Sequence, residues 1–214
     1  MTRLLGLQGC YAIVDPEHCG ARTPEDVAAA VLRGGCRMLQ LRVKRMGDRA
    51  WLELGGRVRA LCRESGAWFV VNDRPDLALL LDADGLHLGQ NDLPIPQARR
   101  LVGALPIGIS THSLAQAREA EAQGADLIGF GPVFGTSSKR EPNPEVGLAG
   151  LSEICRRVCV PVAAIGGISP CTAPAVARAG ARFACSIGAL CSAADPEQAA
   201  RTFQSAFARA GELK

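Results

Sequence analysis

Short apolar runs alternate with longer amphipathic segments along the whole chain, eight times over. The runs fall at 11–14, 38–41, 68–71, 85–88, 106–109, 126–130, 161–165 and 182–186. Helical spacing predicts helices over 24–33, 48–65, 75–81, 94–101, 114–123, 148–158 and 172–179, with a last one from Asp195-Pro196-Glu197 to about Ala210. A strand followed by a helix cannot return as a tight antiparallel hairpin, so the strands must be parallel. Eight such units in 214 residues close most simply into a single (β/α)8 TIM barrel spanning 1–214. An open doubly wound sheet fits less well, because no Gly-rich turn follows Val14.

Local punctuation agrees with this division. Thr23-Pro24-Glu25-Asp26 carries a cap, a proline for the first turn and two acids at the positive helix end. Ser113 opens the fifth helix and Gly124 closes it. The longest connection, 131–147, is rich in Pro, Gly, Ser and Thr and reads as a lid.

In parallel barrels the residues just past the strand ends share one mouth, and chemistry sits there. The second run is followed by Gln40, Arg42 and Lys44, which alternate onto one side of the chain. The third and fourth bring Asn72 with Asp73, and Gln90 with Asp92. Ser110 and His112 follow the fifth, and Thr136, Ser138 and Lys139 the sixth. Gly166, Gly167 and Gly188 close the last two.

Two carboxylates without an evident cationic neighbour suit a hard divalent ion completed by water and a substrate phosphate. Asp73 and Asp92 could instead cap the helices that follow them. Arg42 and Lys44 could be solvated surface charge, and Gly166-Gly167 a plain tight turn. His87, within a strand, reads as a satisfied core imidazole. The inventory lacks a nucleophile paired with a base, and points to a substrate bearing several phosphate charges.

The formal charge of +3, scattered rather than clustered, argues against nucleic acid. No apolar run is long enough to span a bilayer, and the first ten residues lack a signal-length apolar core. The nine cysteines include no CxxC, and Cys155 and Cys159 alone are close in sequence. Most replace Ala, Val or Ser in apolar runs, as small buried hydrophobes in a reducing compartment do. A cytoplasmic protein acting on small phosphorylated molecules is the expectation.

From residue 11 to about 190 the chain resembles the thiamine-phosphate synthase family. The likeness rests on QLRVK at 40–44, ND at 72–73, ADGLHLGQNDLP at 83–94 and STH at 110–112. It continues with GADLIGFGPVF at 124–134, TSSK at 136–139 and PVAAIGGI at 161–168. The resemblance implies a magnesium-dependent barrel enzyme that joins an aminopyrimidine diphosphate to a thiazole phosphate and releases pyrophosphate. It implies that Gln40, Arg42 and Lys44 hold the diphosphate with Lys139 assisting and Asn72 beside them. Asp73 and Asp92 would bind Mg2+, and Ser110 would contact the pyrimidine. Thr136, Ser138, Gly167, Ile187 and Gly188 would take the thiazole phosphate.

Three positions depart from the usual pattern of that family: Gly135 stands for Pro, Ser138 for Thr and Gly188 for Ser. A sister family, the thiazole tautomerases, uses an acid/base histidine at the place of His112. Lys44, Asp73 and Asp92 favour the synthase. A non-catalytic barrel that binds thiazole phosphate is the third alternative, and the charged mouth argues against it.

Overall fold

The structure is a computed structural model and describes residues 4–136 and 144–211. Eight strands, β1 (Gly9–Val14), β2 (Met38–Leu41), β3 (Trp68–Asn72), β4 (Gly85–Leu88), β5 (Ile107–Thr111), β6 (Leu127–Phe130), β7 (Val162–Ala164) and β8 (Phe183–Ser186), close in chain order into a parallel barrel. The seam joins β1 to β8 with Gly9 opposite Phe183, so no strand edge is left open.

The helices between strands are α1 (Pro24–Arg33), α2 (Asp48–Glu64), α3 (Pro75–Leu80), α4 (Ile95–Val102), α5 (Leu114–Ala122), α6 (Gly147–Arg157) and α7 (Ala173–Arg178). After β8 come a single turn, α8 (Gly188–Cys191), and the closing α9 (Pro196–Gly211). The sequence pattern predicts the first seven within a residue or two at most ends. It does not predict α8, whose four residues are too few to show a helical period.

Local chemistry sets the helix starts. At α1, Thr23 accepts from the Asp26 amide and Asp26 answers the Thr23 amide, a reciprocal cap of about 1 kcal/mol. Ser113 accepts from the Gln116 amide at the start of α5. Neither Asp73 nor Asp92 caps a helix: the N-cap of α3 is Arg74 and that of α4 is Pro94, both without a side-chain cap bond. That leaves both carboxylates for other uses.

Two apolar layers result from the alternation along each strand. Leu39, Leu41, Phe69, Val71, Leu86 and Leu88 pack outward against helix residues such as Val27, Val31, Leu54 and Ile95. Inside the barrel, Tyr11, Met38, Val70, Leu127 and Phe183 form a second cluster, which Leu4 joins. Tyr11 and Phe183 meet edge to face, 6.1 Å between ring centres.

The same clamp appears under two strands. Asp84 accepts from the Phe69 amide at 3.0 Å and from Arg59 at 2.8 Å. Asp126 accepts from the Ile107 amide at 2.9 Å and from Arg99 at 2.6 Å. Both lie at the strand-start end, away from the mouth, so these ion pairs serve the fold.

No helix among the described residues is long and apolar enough to cross a membrane. All nine cysteines are free thiols, and Cys10, Cys19, Cys36, Cys62, Cys185 and Cys191 are buried. The sequence reading of these six as small apolar residues holds.

Candidate active site

Above the inner apolar layer the barrel opens into a cavity of about 370 Å3. Gln40, Arg42, Lys44 and Asn72 line it from the β2–β3 arc. Thr136, Gly167, Ile187 and Gly188 line it from the β6–β8 arc, across the barrel, and Ser110 stands at the end of β5 between them. Ser138 and Lys139 lie outside the described residues.

Gln40 points into the barrel as the alternation predicts. It is buried, and its Nε2 donates to the Tyr11 hydroxyl at 2.7 Å. The inner core thus fixes an amide at the cavity floor. Asn72, also buried, carries an Nδ2 group with no hydrogen-bond partner among the described residues. A buried amide donor left open costs free energy unless something in the cavity accepts from it. A bound substrate could supply that acceptor.

Arg42 is half-buried and Lys44 exposed, and each is paired with a carboxylate. Arg42 donates to the carboxylate of Asp15, and Lys44 to that of Asp73. The expectation that the two acids stand without a cationic neighbour is therefore corrected: Lys44 reaches across from β2 to neutralise one of them. The sequence reading also passed over Asp15. It follows β1 as Asp73 follows β3, so the same signal, an acid just past a strand, was available for it.

Asp73 and Asp92 do meet at the rim. Burial pushes the Asp92 carboxyl above its usual range, and the adjoining Asp73 carboxyl pushes it further. The Gly89 amide, donating to Asp92 Oδ2 at 2.6 Å, and Lys44 act in the opposite direction. Asp73 sits at φ +63°, a left-handed backbone that costs most side chains about 1–2 kcal/mol and that Asp tolerates better than most. Its amide donates to the His87 carbonyl at 2.8 Å, which ties that turn to β4.

This donor set fits a hard divalent cation: two oxygen ligands that repel each other, beside a cavity able to admit water and phosphate. Arg42 and Lys44 face Asp15, Asp73 and Asp92, two cations against three carboxylates. With all three ionised this is a net −1, a poor host for a diphosphate unless positive charge is added. Among the described residues no group of three or more His, Cys, Asp or Glu could hold a metal by itself.

His87 is a core imidazole as read, and it is also part of the site. It is buried, lines the cavity, and places Nε2 3.1 Å from Ser110 Oγ. Gly108 and Gly129 make room for its ring; a Cβ at Gly108 would lie 2.7 Å from His87 Nδ1. Gln90 Nε2 donates to the Ser110 carbonyl at 2.7 Å. Ser110 is thus held on both side chain and backbone. His112 lines the rim, and its Nδ1 donates to the Gly131 carbonyl. A carbonyl only accepts, so Nδ1 carries a proton.

The glycine turn after β7 has a steric cause. Val133 N–H and Phe134 N–H donate to the carbonyls of Ile165 and Gly166 at 2.8 and 3.0 Å. The loop after β6 is thereby zipped along this turn. Gly166 and Gly167 both have positive φ, and a Cβ on either would strike that loop, at Pro132 or at the Gly135 carbonyl. A tight turn accounts for Gly166. Gly167 is in addition exposed and lines the cavity, as Thr136 does.

A family model described as thiamine monophosphate synthase matches residues 10–190. The thiamine-phosphate synthase of Anaeromyxobacter dehalogenans is 48% identical over 202 residues, 94% of this chain and 88% of that protein. The thiamine-phosphate synthase of Moorella thermoacetica is 42% identical over 201 residues, 94% of this chain and 96% of that protein. Among solved structures, thiamine phosphate pyrophosphorylase from Pyrococcus furiosus superposes with a TM-score of 0.87 at 35% identity, covering 94% of this chain and 96% of that one.

Proposed function

The chain belongs to the thiamine monophosphate synthase family, and on that premise we propose that its mouth couples an aminopyrimidine diphosphate to a thiazole phosphate with loss of pyrophosphate. One observation carries the reading. A single cavity sets Gln40, Arg42, Lys44 and Asn72 on one arc against Thr136, Gly167, Ile187 and Gly188 on the other, with Ser110 between. Two phosphorylated substrates can then meet with their charged ends apart and their rings together.

In the reaction the bond between the pyrimidine methylene and the diphosphate oxygen breaks. The thiazole nitrogen supplies the electron pair of the new C–N bond. That nitrogen is already a nucleophile and carries no proton to remove, so the site needs no strong base. The aminopyrimidine ring can delocalise positive charge at the methylene as the anion departs. What remains is to hold the leaving pyrophosphate, and preorganised cations do this best where water is limited.

Arg42 and Lys44 are the donors from β2, with Lys139 joining them. Gln40, braced by Tyr11, and Asn72, with its open N–H, fix the substrate at the floor. Ser110, held by His87 and Gln90, meets the pyrimidine. Thr136, Ser138, Gly167 and the turn at Ile187-Gly188 take the thiazole phosphate. Asp73 and Asp92 would hold Mg2+, which when bound supplies positive charge against the diphosphate. Free thiols throughout the chain support a reducing compartment, and we place the enzyme in the cytoplasm.

Purified protein with both substrates and Mg2+ should form thiamine phosphate and pyrophosphate in equal amounts. Isomerisation of a thiazole carboxylate, with no pyrophosphate released, would replace this reading with the tautomerase. Binding of thiazole phosphate with neither reaction would replace it with a binding role.

A further inference from the structure

Asp15 is the only Asp, Glu, Lys or Arg buried among the described residues, and it is fully so. It follows β1 directly, and its carboxylate is divided between two tasks. Oδ1 accepts from the Glu17 amide at 3.0 Å, which closes the turn at 16–18. Oδ2 accepts from Arg42 Nη1, with His18 Nδ1 3.6 Å away. The Arg42 backbone is tied to the same place, its amide donating to the Val14 carbonyl at 2.9 Å. The Arg42 side chain is 18% exposed, and the residue lines the cavity.

A buried carboxylate is costly to keep unless a cation answers it. A turn cap alone does not need one, since Asn or Ser would cap as well. The charge at position 15 is therefore used on Arg42. A guanidinium has five N–H donors in a rigid plane, and engaging one end leaves the others free to bind. An arginine held in advance also loses less freedom when an anion arrives.

We propose that Asp15 is the positioning residue for Arg42, holding its guanidinium in the orientation that receives the diphosphate. This rests on the reading of Arg42 as a diphosphate ligand. Asp15 does not touch the substrate. It acts by keeping one edge of the guanidinium anchored while the rest stays in the cavity.

The test uses the full chain with Mg2+. Asp15→Asn and Asp15→Ser both keep an oxygen for the Glu17 amide while removing the charge. Each should raise the KM for the aminopyrimidine diphosphate and the Kd for pyrophosphate about 10- to 100-fold, the size of a lost charge-assisted bond. The KM for thiazole phosphate should stay within about twofold, as expected for a site across the barrel. With Arg42→Ala already in place, Asp15→Asn should add less than about a further twofold, because the two residues act as one unit.

Wild-type pyrophosphate affinity in Asp15→Asn, or losses that multiply in the double variant, would overturn the role for Asp15. Unchanged affinity in Arg42→Ala alone would instead sink the reading of Arg42 itself. Should neither Asp15 variant fold, side-chain NMR of the unsubstituted protein decides. The Arg42 Nε–H signal, identified by its loss in Arg42→Lys, should be resolved before pyrophosphate is added. A signal that emerges only with pyrophosphate overturns the proposal.

Discussion

Lys44 reaches from the end of β2 to donate from Nζ to Asp73 Oδ2. The same ammonium is wanted by the departing diphosphate, and the same carboxylate by a divalent ion. Lys44 and the metal therefore compete for Asp73. Lys44→Ala should lower the Mg2+ concentration that half-saturates the enzyme while cutting kcat by about 10²-fold, the usual cost of losing a preorganised charge at a transition state. A fall in both quantities in a magnesium titration is the signature. A half-saturating concentration that rises while kcat falls would mean that Lys44 helps to hold the metal.

Asp92 sets the pH behaviour of the rim. Its carboxyl is pushed up by burial and by Asp73, so between the ordinary carboxylate value and its raised one the folded chain holds more protons than the unfolded. Stability without metal should therefore fall as pH rises through that window and level off above it. Mg2+ favours the ionised form, so the Tm gain from Mg2+ should grow over the same window. Asp92→Asn should flatten both profiles, leave the metal-free protein at least as stable, and cost about 10²-fold in turnover. Thermal melts at several pH values, with Mg2+ and with EDTA, measure all of this. An unchanged rate in Asp92→Asn removes that residue from the metal site.

Gly108 never contacts substrate in this reading, yet it should matter to substrate binding. Alanine there would press its methyl against His87 Nδ1, and Gly129 lies close beside the same ring. Overpacking of this kind costs about 1–3 kcal/mol in stability. The displaced ring would also release Ser110. Gly108→Ala should lower Tm and raise the KM for the aminopyrimidine substrate, with that for thiazole phosphate little changed. Equal shifts in both KM values would show general loosening instead.

Gly188 opens the opposite test. Among the described residues nothing lies within 4 Å of where its Cβ would be, and its backbone is not left-handed. Gly188→Ser should fold normally. It should bind thiazole phosphate about 10- to 100-fold more tightly, the size of one hydrogen bond to a charged group. Steady-state KM and equilibrium binding of the phosphate report this directly. A weaker phosphate site would place the turn elsewhere in the mechanism.

The barrel was legible because its signal repeats: eight apolar runs at strand length, each followed by a helical period, leave few alternatives. The meeting of Asp73 with Asp92 was legible for the same reason, since adjacent repeats deliver their loops to one rim. Pairings across repeats were not. The tie of Arg42 to Asp15 joins positions 27 apart, and nothing along either segment names the other. The room for His87 is made by glycines on β5 and β6, and a glycine in a strand does not say which neighbour needs the space. The short turn α8 was invisible because Gly188-Ala-Leu-Cys191 is less than two helical turns.

The left-handed backbone at Asp73 limits how that position can be interrogated. Glutamate preserves the charge and alanine deletes it, but each also asks a forward-twisting residue to occupy a turn shaped for something more permissive. A deficit in either variant mixes lost coordination with a distorted loop. Asparagine, which accepts the same twist, removes the charge that faces the ion and Lys44 without reshaping the loop, and glycine is the control for the turn.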